Sequence, residues 1–178
     1  MAGHNKWSQI KHKKAITDSK KSKIFSKLVR FIAVEARLSG GKDSPGLRSA
    51  IEKARKVNMP SDNIEKAIKK ASEPSSHMEN IMYEAYGPGG VGIIIETLTD
   101  NKNRTAQEIK HILSKNNTAL AGIGAVVWAF KKENGDTGLI WSPTTEIEIA
   151  GEDLTLLEKL VEDLEDNDDV QDVYTNAL

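Results

Sequence analysis

Residues 86–115 read YGPGGVGIIIETLTDNKNRTAQEIKHILSK, and this segment carries the clearest fold signal in the chain. The Gly-Pro-Gly-Gly sequence at 87–90 is typical of a tight turn. The apolar, β-branched run from Val91 to Leu98 then predicts a strand. From Thr105 to Lys115 the apolar residues recur at helical spacing, which predicts a helix with Thr105 as a candidate cap.

The pattern continues to the C-terminus with alternating strands and helices. Strands are predicted over 125–130, 139–149 and 170–174, and a helix over 153–164. The sequence NGDTG at 134–138 predicts a hairpin turn. The resulting order is β-α-β-β-α-β, so we expect an α+β protein whose residues 80–178 form a ferredoxin-like domain, with one antiparallel sheet covered on one face by two helices.

Upstream of this domain the sequence predicts a helical unit. Apolar residues at helical spacing predict helices near 22–39, 45–58 and 60–71, separated by Gly40-Gly41 and by Pro60. Residues 22–72 are therefore expected to form a three-helix domain, and residues 73–79 a linker. Residues 1–21 contain many lysines and few apolar residues, which predicts a mobile basic arm.

The charge distribution is strongly uneven. Residues 1–70 contain 18 Lys and Arg against 6 Asp and Glu, a net charge of +12, whereas residues 71–178 contain 7 against 20, a net charge of −13. Such a basic segment is the expected footprint of a protein that binds a polyanion, so nucleic acid is the expected partner. The alternative is that both halves merely carry solvated charged surfaces.

Several classes of protein are not supported by the sequence. The absence of cysteine excludes disulfides and thiolate chemistry. The four histidines are scattered, and no P-loop, G-x-S-x-G or HExxH motif occurs. We therefore expect no catalytic residue, no metal site and no cofactor, and no small-molecule substrate is evident. No membrane span or secretory signal is indicated either, so a cytoplasmic location is expected.

Two segments are candidates for contact with nucleic acid. In the arm, Trp7 lies among lysines and either stacks on a base or packs on the helical unit. In the segment Thr99–Thr105, Lys102 and Arg104 either bind a phosphate at a helix N-terminus or belong to a local cap. The candidate binding residues identified from charge are Lys6, Trp7, Lys11, His12, Lys13, Lys14, Lys20, Lys21, Lys23, Arg30, Arg48, Arg55, Lys56, Lys102 and Arg104.

Four blocks of sequence resemble the YebC/PmpR family, which includes the mitochondrial translational activator of cytochrome c oxidase. They are MAGHNKWSQIKHKKAITDSKKSKIFSKLVR at the start, LRSAIEKARKVNMPSDNIEKAIKKA, the YEAYGPGG block that continues through the segment quoted first, and DDVQDVYTNA near the end. The chain departs from the family pattern where an additional domain is usually inserted, because residues 131–138 form only a short hairpin.

The resemblance implies a non-enzymatic regulator of gene expression. Some members of the family are described as DNA-binding transcriptional regulators, and others associate with the ribosome. It also implies a contact role for the turn that contains Asn58, Met59, Pro60 and Asn63. The leading hypothesis is a YebC-like translation factor that binds ribosomal RNA. A DNA-binding transcriptional regulator and a protein-interaction adaptor remain as alternatives, although no recognition helix is evident in the sequence.

Overall fold

The computed structural model describes residues 18–70, 78–135 and 138–178. The chain divides into two compact units, one helical and one mixed. The predicted arm up to Thr17 and the predicted linker over 73–77 lie outside the described residues. The residues on either side of that linker belong to different units.

The helical unit contains three helices: α1 (Asp18–Leu38), α2 (Pro45–Lys56) and α3 (Ser61–Lys70). Helix α1 begins four residues before the predicted start at Ser22. Ser44 caps α2, since its hydroxyl accepts a hydrogen bond from the Leu47 N–H at 3.1 Å. The apolar faces meet in one core, whose buried members are Ile32, Ala36, Leu47, Ala50, Ala54, Met59, Ile64 and Ala67. The three helices of this unit therefore share one apolar core.

Six strands and two helices follow residue 78, and they form the mixed unit apart from residues 134–140. The strands are β1 (Glu79–Tyr86), β2 (Gly92–Thr99), β3 (Ala119–Leu120), β4 (Phe130–Gly135), β5 (Gly138–Pro143) and β6 (Val170–Thr175). The helices are α4 (Lys102–Lys115) and α5 (Gly151–Glu165). The α+β class expected from the sequence is confirmed.

The set of strands that makes up the sheet is not the one that the predicted ferredoxin-like order contains. Its four strands lie in the order β3-β1-β2-β6 and every neighbouring pair is antiparallel, whereas β4 and β5 form a separate two-stranded sheet. Strand β1 was not predicted, because its polar and apolar residues do not alternate regularly. Residues 125–129 were predicted as a strand, but the backbone there turns through a short 3-10 segment before β4.

Strand β2 is the centre of the mixed unit because it is buried on both faces. On one face, Ile93 and Ile95 pack against α4 and α5 in the main core, together with Ile109, Leu113, Leu157 and Leu160. On the other face, Ile94 contacts Val126, Ala129 and Phe130. The two helices do cover one face, as predicted. Because β2 is buried on both faces, its residues form a continuous apolar run without the polar alternation of a half-exposed strand.

Candidate nucleic-acid interface

The helical unit displays basic side chains around its core. Helices place apolar residues on the shared inner side, so the intervening lysines and arginines are left on the outer faces. Arg30 in α1 is half-buried, and the Arg48 guanidinium lies 2.6 Å from the Asp43 carboxylate. The exposed cations are Lys23, Lys42, Arg48, Arg55, Lys56, Lys66 and Lys69, and we call this set the basic surface.

The connection between α2 and α3 has a defined geometry. It consists of the four residues 57–60, and Asn58 adopts a left-handed conformation with φ of 60°. The Met59 N–H donates to the Ala54 carbonyl at 3.0 Å, which turns the chain back under the end of α2. Asn58 and Pro60 are thereby exposed next to the end of α2, whose last residues are basic, while Asn63 is half-buried.

Met59 is the one predicted contact residue in this turn that the structure places inside. Its side chain is only 5% exposed and belongs to the core of the helical unit. A thioether buried among alanine and isoleucine side chains contributes by packing. Met59 is therefore a core residue and does not belong to the basic surface.

The predicted residues of the arm are only partly placed. Lys6, Trp7, Lys11, His12, Lys13 and Lys14 lie outside the described residues, so stacking and packing of Trp7 both stay predictions. Lys20 and Lys21 lie within the first turn of α1 rather than in the arm. Their backbone is helical, which brings them into the same element as Lys23.

The segment Thr99–Thr105 forms a local cap. The Asn101 side chain accepts a hydrogen bond from the Arg104 N–H at 3.1 Å and so caps α4. The Arg104 guanidinium lies 2.8 Å from the Asp169 carboxylate and 2.9 Å from that of Asp100. The hydrogen bond to Asp169 is the main reason that the pKa of Arg104 is raised. Lys102 is exposed, whereas the charge of Arg104 is already matched by carboxylates.

Asp169 is the acceptor at the centre of a buried polar cluster. Its side chain is 3% exposed and accepts hydrogen bonds from the hydroxyls of Thr105 at 2.7 Å and Thr99 at 3.2 Å, besides its contact with Arg104. The cluster joins the end of β2, the start of α4 and the residue before β6. A buried carboxylate needs such partners, so the cluster accounts for the polar residues around Asp169 without an added ligand.

A second buried carboxylate, that of Glu84 in β1, was missed by the sequence reasoning. Its oxygens accept backbone hydrogen bonds from Gly124 at 2.7 Å, Val126 at 2.7 Å and Val127 at 2.9 Å. Burial alone raises the pKa of the Glu84 carboxyl, but the three N–H donors outweigh burial and hold that pKa below its usual value. Glu84 thereby fixes the loop 121–128. Its partners lie about forty residues away, so local sequence could not reveal them.

The described residues hold neither a metal-binding cluster nor a membrane-spanning helix. Within residues 18–70, 78–135 and 138–178, no group of three or more His, Cys, Asp and Glu side chains is arranged to hold a metal ion. In the same part of the chain, no helix combines the length and apolar character needed to cross a bilayer.

The matches to known protein families cover nearly the whole chain. Residues 5–74 match the TACO1/YebC protein N-terminal domain. Residues 78–135 and 131–177 match the TACO1/YebC second and third domain. The chain belongs to the TACO1/YebC family. The second match is split into two pieces that meet at the β4–β5 hairpin, which fits a shortened form of the family.

Individual relatives agree with this assignment. A "Probable transcriptional regulatory protein" of Fervidobacterium nodosum is 39% identical over 235 residues, covering 99% of this chain and 93% of the relative. One of Petrotoga mobilis with the same name is 47% identical over 180 residues, covering 98% and 70%. The first alignment is longer than the chain's 178 residues, so that relative carries additional residues within the matched region.

A solved structure shows the same fold. The crystal structure of the conserved hypothetical protein Aq1575 from Aquifex aeolicus superposes with a TM-score of 0.81 at 32% sequence identity. The match covers 97% of this chain and 96% of that one.

Proposed function

We propose that this chain is a non-enzymatic regulator of gene expression that binds nucleic acid through the basic surface of its helical unit. The observation that carries the proposal is the segregation of charge. The segment up to Lys70 has a net charge of +12, and the described cations of this segment lie outside a well-packed apolar core. A folded scaffold that presents many fixed cations is suited to the phosphates of a nucleic acid.

The end of α2 carries two adjacent exposed cations of this surface. Arg55 and Lys56 end α2, and the adjoining turn exposes Asn58 and Pro60. Cations and an amide at the edge of a turn can contact phosphate and sugar atoms, which position a protein without reading sequence. The mixed unit is acidic and would be repelled by the same polyanion, so the charge asymmetry would also orient the molecule.

We propose structured RNA, and specifically ribosomal RNA, as the target. Cations on all three helices suit a ligand whose phosphates are distributed over an irregular surface. Translation as the regulated step follows from the resemblance of the four sequence blocks described above.

Co-sedimentation with ribosomes tests this target. The protein would be centrifuged with ribosomes through a sucrose gradient at two salt concentrations, with and without an equal mass of duplex DNA. We expect it to travel with ribosomes near physiological salt, to dissociate at higher salt because phosphate contacts release counterions, and to resist the DNA competitor.

Charge reversal provides the matched comparison. Arg55→Glu combined with Lys56→Glu should weaken ribosome binding by at least about tenfold, since two phosphate contacts become repulsive. Lys110→Glu combined with Lys159→Glu makes a comparable change of charge at exposed positions of the mixed unit and should have little effect. Equal binding by both double variants would contradict the proposal.

A DNA-binding transcriptional regulator is the second candidate. Two observations favour it: the relatives carry that name, and α2 and α3 are joined by a four-residue turn, as in helix-turn-helix pairs. If the protein leaves ribosomes for duplex DNA, and prefers one promoter over random DNA at about 150 mM salt, this candidate replaces the first.

A further inference from the structure

The loop 121–128 of the mixed unit exposes apolar side chains that the fold does not use. Ile123 is 101% exposed and Trp128 is 65% exposed, and Tyr86 at the end of β1, whose hydroxyl bonds to Ala125 of this loop, is 46% exposed. Residues Val126 and Ala129 of the same segment are buried against Ile94. The segment therefore anchors itself with one set of apolar residues and presents another set to solvent. We call Tyr86, Ile123 and Trp128 the apolar platform.

The platform is held by several hydrogen bonds. The Tyr86 hydroxyl donates to the Ala125 carbonyl at 2.6 Å, and the Trp128 indole N–H donates to the same carbonyl at 2.8 Å. The Glu84 carboxylate accepts hydrogen bonds from three backbone N–H groups of this loop and so holds its conformation. Both aromatic rings are thus oriented by their polar ends, which reduces the entropy that a ligand must remove on binding.

The sequence segment that carries most of the platform differs in charge from the rest of its unit. Residues 116–132 contain no Asp or Glu and end in two exposed lysines, Lys131 and Lys132, although residues 71–178 as a whole carry a net charge of −13. The Lys131 ammonium lies 3.2 Å from the Glu133 carboxylate, and the Lys132 ammonium lies 4.7 Å from the centre of the Trp141 ring. Both lysines remain exposed, so a phosphate can compete with these weak surface contacts. The buried charge of Glu84 is matched by its three donors. Exposed aromatic rings followed by lysines suit a ligand that carries both bases and phosphates.

We propose that the apolar platform binds unpaired nucleotides of a single-stranded nucleic-acid segment, with bases against Tyr86, Ile123 and Trp128 and phosphates at Lys131 and Lys132. This inference rests on the proposed function, since it adds a contact for unpaired nucleotides to the phosphate contacts of the basic surface. Bases in duplex are stacked on one another and cannot reach an aromatic side chain in this way. The platform should therefore distinguish single strands from duplexes.

The test compares a single-stranded oligouridine of 12 nucleotides with an RNA duplex of the same length, by fluorescence anisotropy. We expect Ile123→Ser combined with Trp128→Ala to weaken single-strand binding about five- to a hundredfold, the range given by loss of one stacked base. Duplex binding should change less than about twofold. Trp128→Phe keeps an aromatic ring without the indole N–H and should retain most of the single-strand affinity of the wild type. Leu156→Ser alters an exposed apolar residue on α5 and is the matched control.

The outcomes separate this inference from the proposed function. If the Ile123/Trp128 variant binds the single strand as the wild type does, while Arg55→Glu with Lys56→Glu weakens both probes, only the platform inference is overturned. If the wild-type chain binds neither probe, both proposals fail. A third result is that the same variant loses a concentration-dependent self-association of the chain while its single-strand affinity stays unchanged. That result would overturn the inference and show that the platform is a protein contact.

Discussion

Two buried carboxylates, Glu84 and Asp169, organise the polar interior of the mixed unit. Each accepts hydrogen bonds from groups distant in sequence: backbone N–H groups about forty residues later for Glu84, and threonine hydroxyls more than sixty residues earlier for Asp169. Both residues lie in a unit rich in acidic side chains, most of which are solvated. Sequence reasoning had no means to distinguish these two from the others, because burial is decided by packing partners and not by neighbours in the chain.

Replacing Glu84 with Gln should destabilise the mixed unit. An amide has one acceptor oxygen where the carboxylate has two, and its NH₂ group would face a backbone N–H donor. We expect the free energy of unfolding to fall by about 2 kcal/mol, the typical cost of leaving buried donors unsatisfied. Thermal and urea denaturation measure the change. Glu79→Gln, at an exposed position of the same strand, should change stability by less than about 0.5 kcal/mol.

The same variant carries a pH signature. The pKa of Glu84 is lowered in the folded state, so its stabilising effect is present above the unfolded pKa of about 4.3 and is lost as the pH falls through the folded pKa. The difference in stability between wild type and Glu84→Gln should therefore narrow below about pH 4. A difference that stayed constant from pH 7 to pH 3 would contradict the role assigned to the carboxylate.

Gly92 is required by close packing at the start of β2. A Cβ atom there would lie 2.7 Å from the Val126 Cγ1 atom, and the Gly92 N–H donates to the Asn176 side chain at 2.7 Å. Gly92→Ala should lower the free energy of unfolding by about 1–3 kcal/mol through overpacking. Gly122→Ala has open space around its Cβ position and should be tolerated. Equal stability of the two variants in urea denaturation would refute this account.

Helices and strands were predicted well where their own residues specified them. Strand β2 and helices α4 and α5 have strong periodic or continuous apolar patterns, and the structure places them close to the predicted ranges. Strand β1 pairs with β2 over its whole length, from Glu79 opposite Thr99 to Tyr86 opposite Gly92. The residues of β1 do not alternate regularly between polar and apolar, so only the pairing with β2 identifies this segment as a strand.

The junction of β2, α4 and β6 depends on Asp169. Asp169→Asn would remove the charge that Arg104 contacts and weaken the hydrogen bonds to Thr99 and Thr105. We expect a loss of roughly 2 kcal/mol or more in the free energy of unfolding, because a buried, hydrogen-bonded charge is lost. Amide hydrogen exchange should show faster opening at the start of α4. Glu148→Gln, at an exposed position of the mixed unit, should leave both measurements nearly unchanged.

The β4–β5 hairpin should tolerate insertion at its tip. It forms its own two-stranded sheet, and the family match is interrupted there. A flexible segment of about eight Gly and Ser residues between Gly135 and Gly138 should cost less than about 1 kcal/mol, since closure entropy grows slowly with loop length. The same insertion between Asp100 and Asn101 would separate the cap of α4 from the Asp169 cluster. It should be clearly destabilising in thermal denaturation, and a similar loss at both sites would contradict this interpretation.

For the molecule as a whole, two cores and two opposite net charges define two units. The helical unit has one buried apolar cluster, and the mixed unit has two clusters on opposite faces of β2. Each set of buried residues belongs to one unit, so each can supply its own folding free energy. This separation gives the basic surface and the apolar platform independent structural support.

A fragment of residues 78–178 should therefore fold cooperatively. The buried residues of its main core lie between Ala85 and Ala177, and Tyr83 packs against them. We expect a single sigmoidal thermal transition by circular dichroism and no measurable binding of duplex RNA, because the basic surface is absent. Retained duplex binding by this fragment would contradict the assignment of that surface. A fragment without a cooperative transition would show that the mixed unit depends on the helical unit.

The amino-acid sequence by itself determined the α+β class, the separation of a basic helical part from an acidic mixed part, and membership of the family, because apolar periodicity, charge and motif spacing are local properties. Only the tertiary structure decided which strands share a sheet, that Met59 is buried, and that Glu84 holds the loop bearing the apolar platform. These features depend on contacts between residues far apart in the chain. Their energies arise from burial and hydrogen bonding in the assembled fold, which no local pattern encodes.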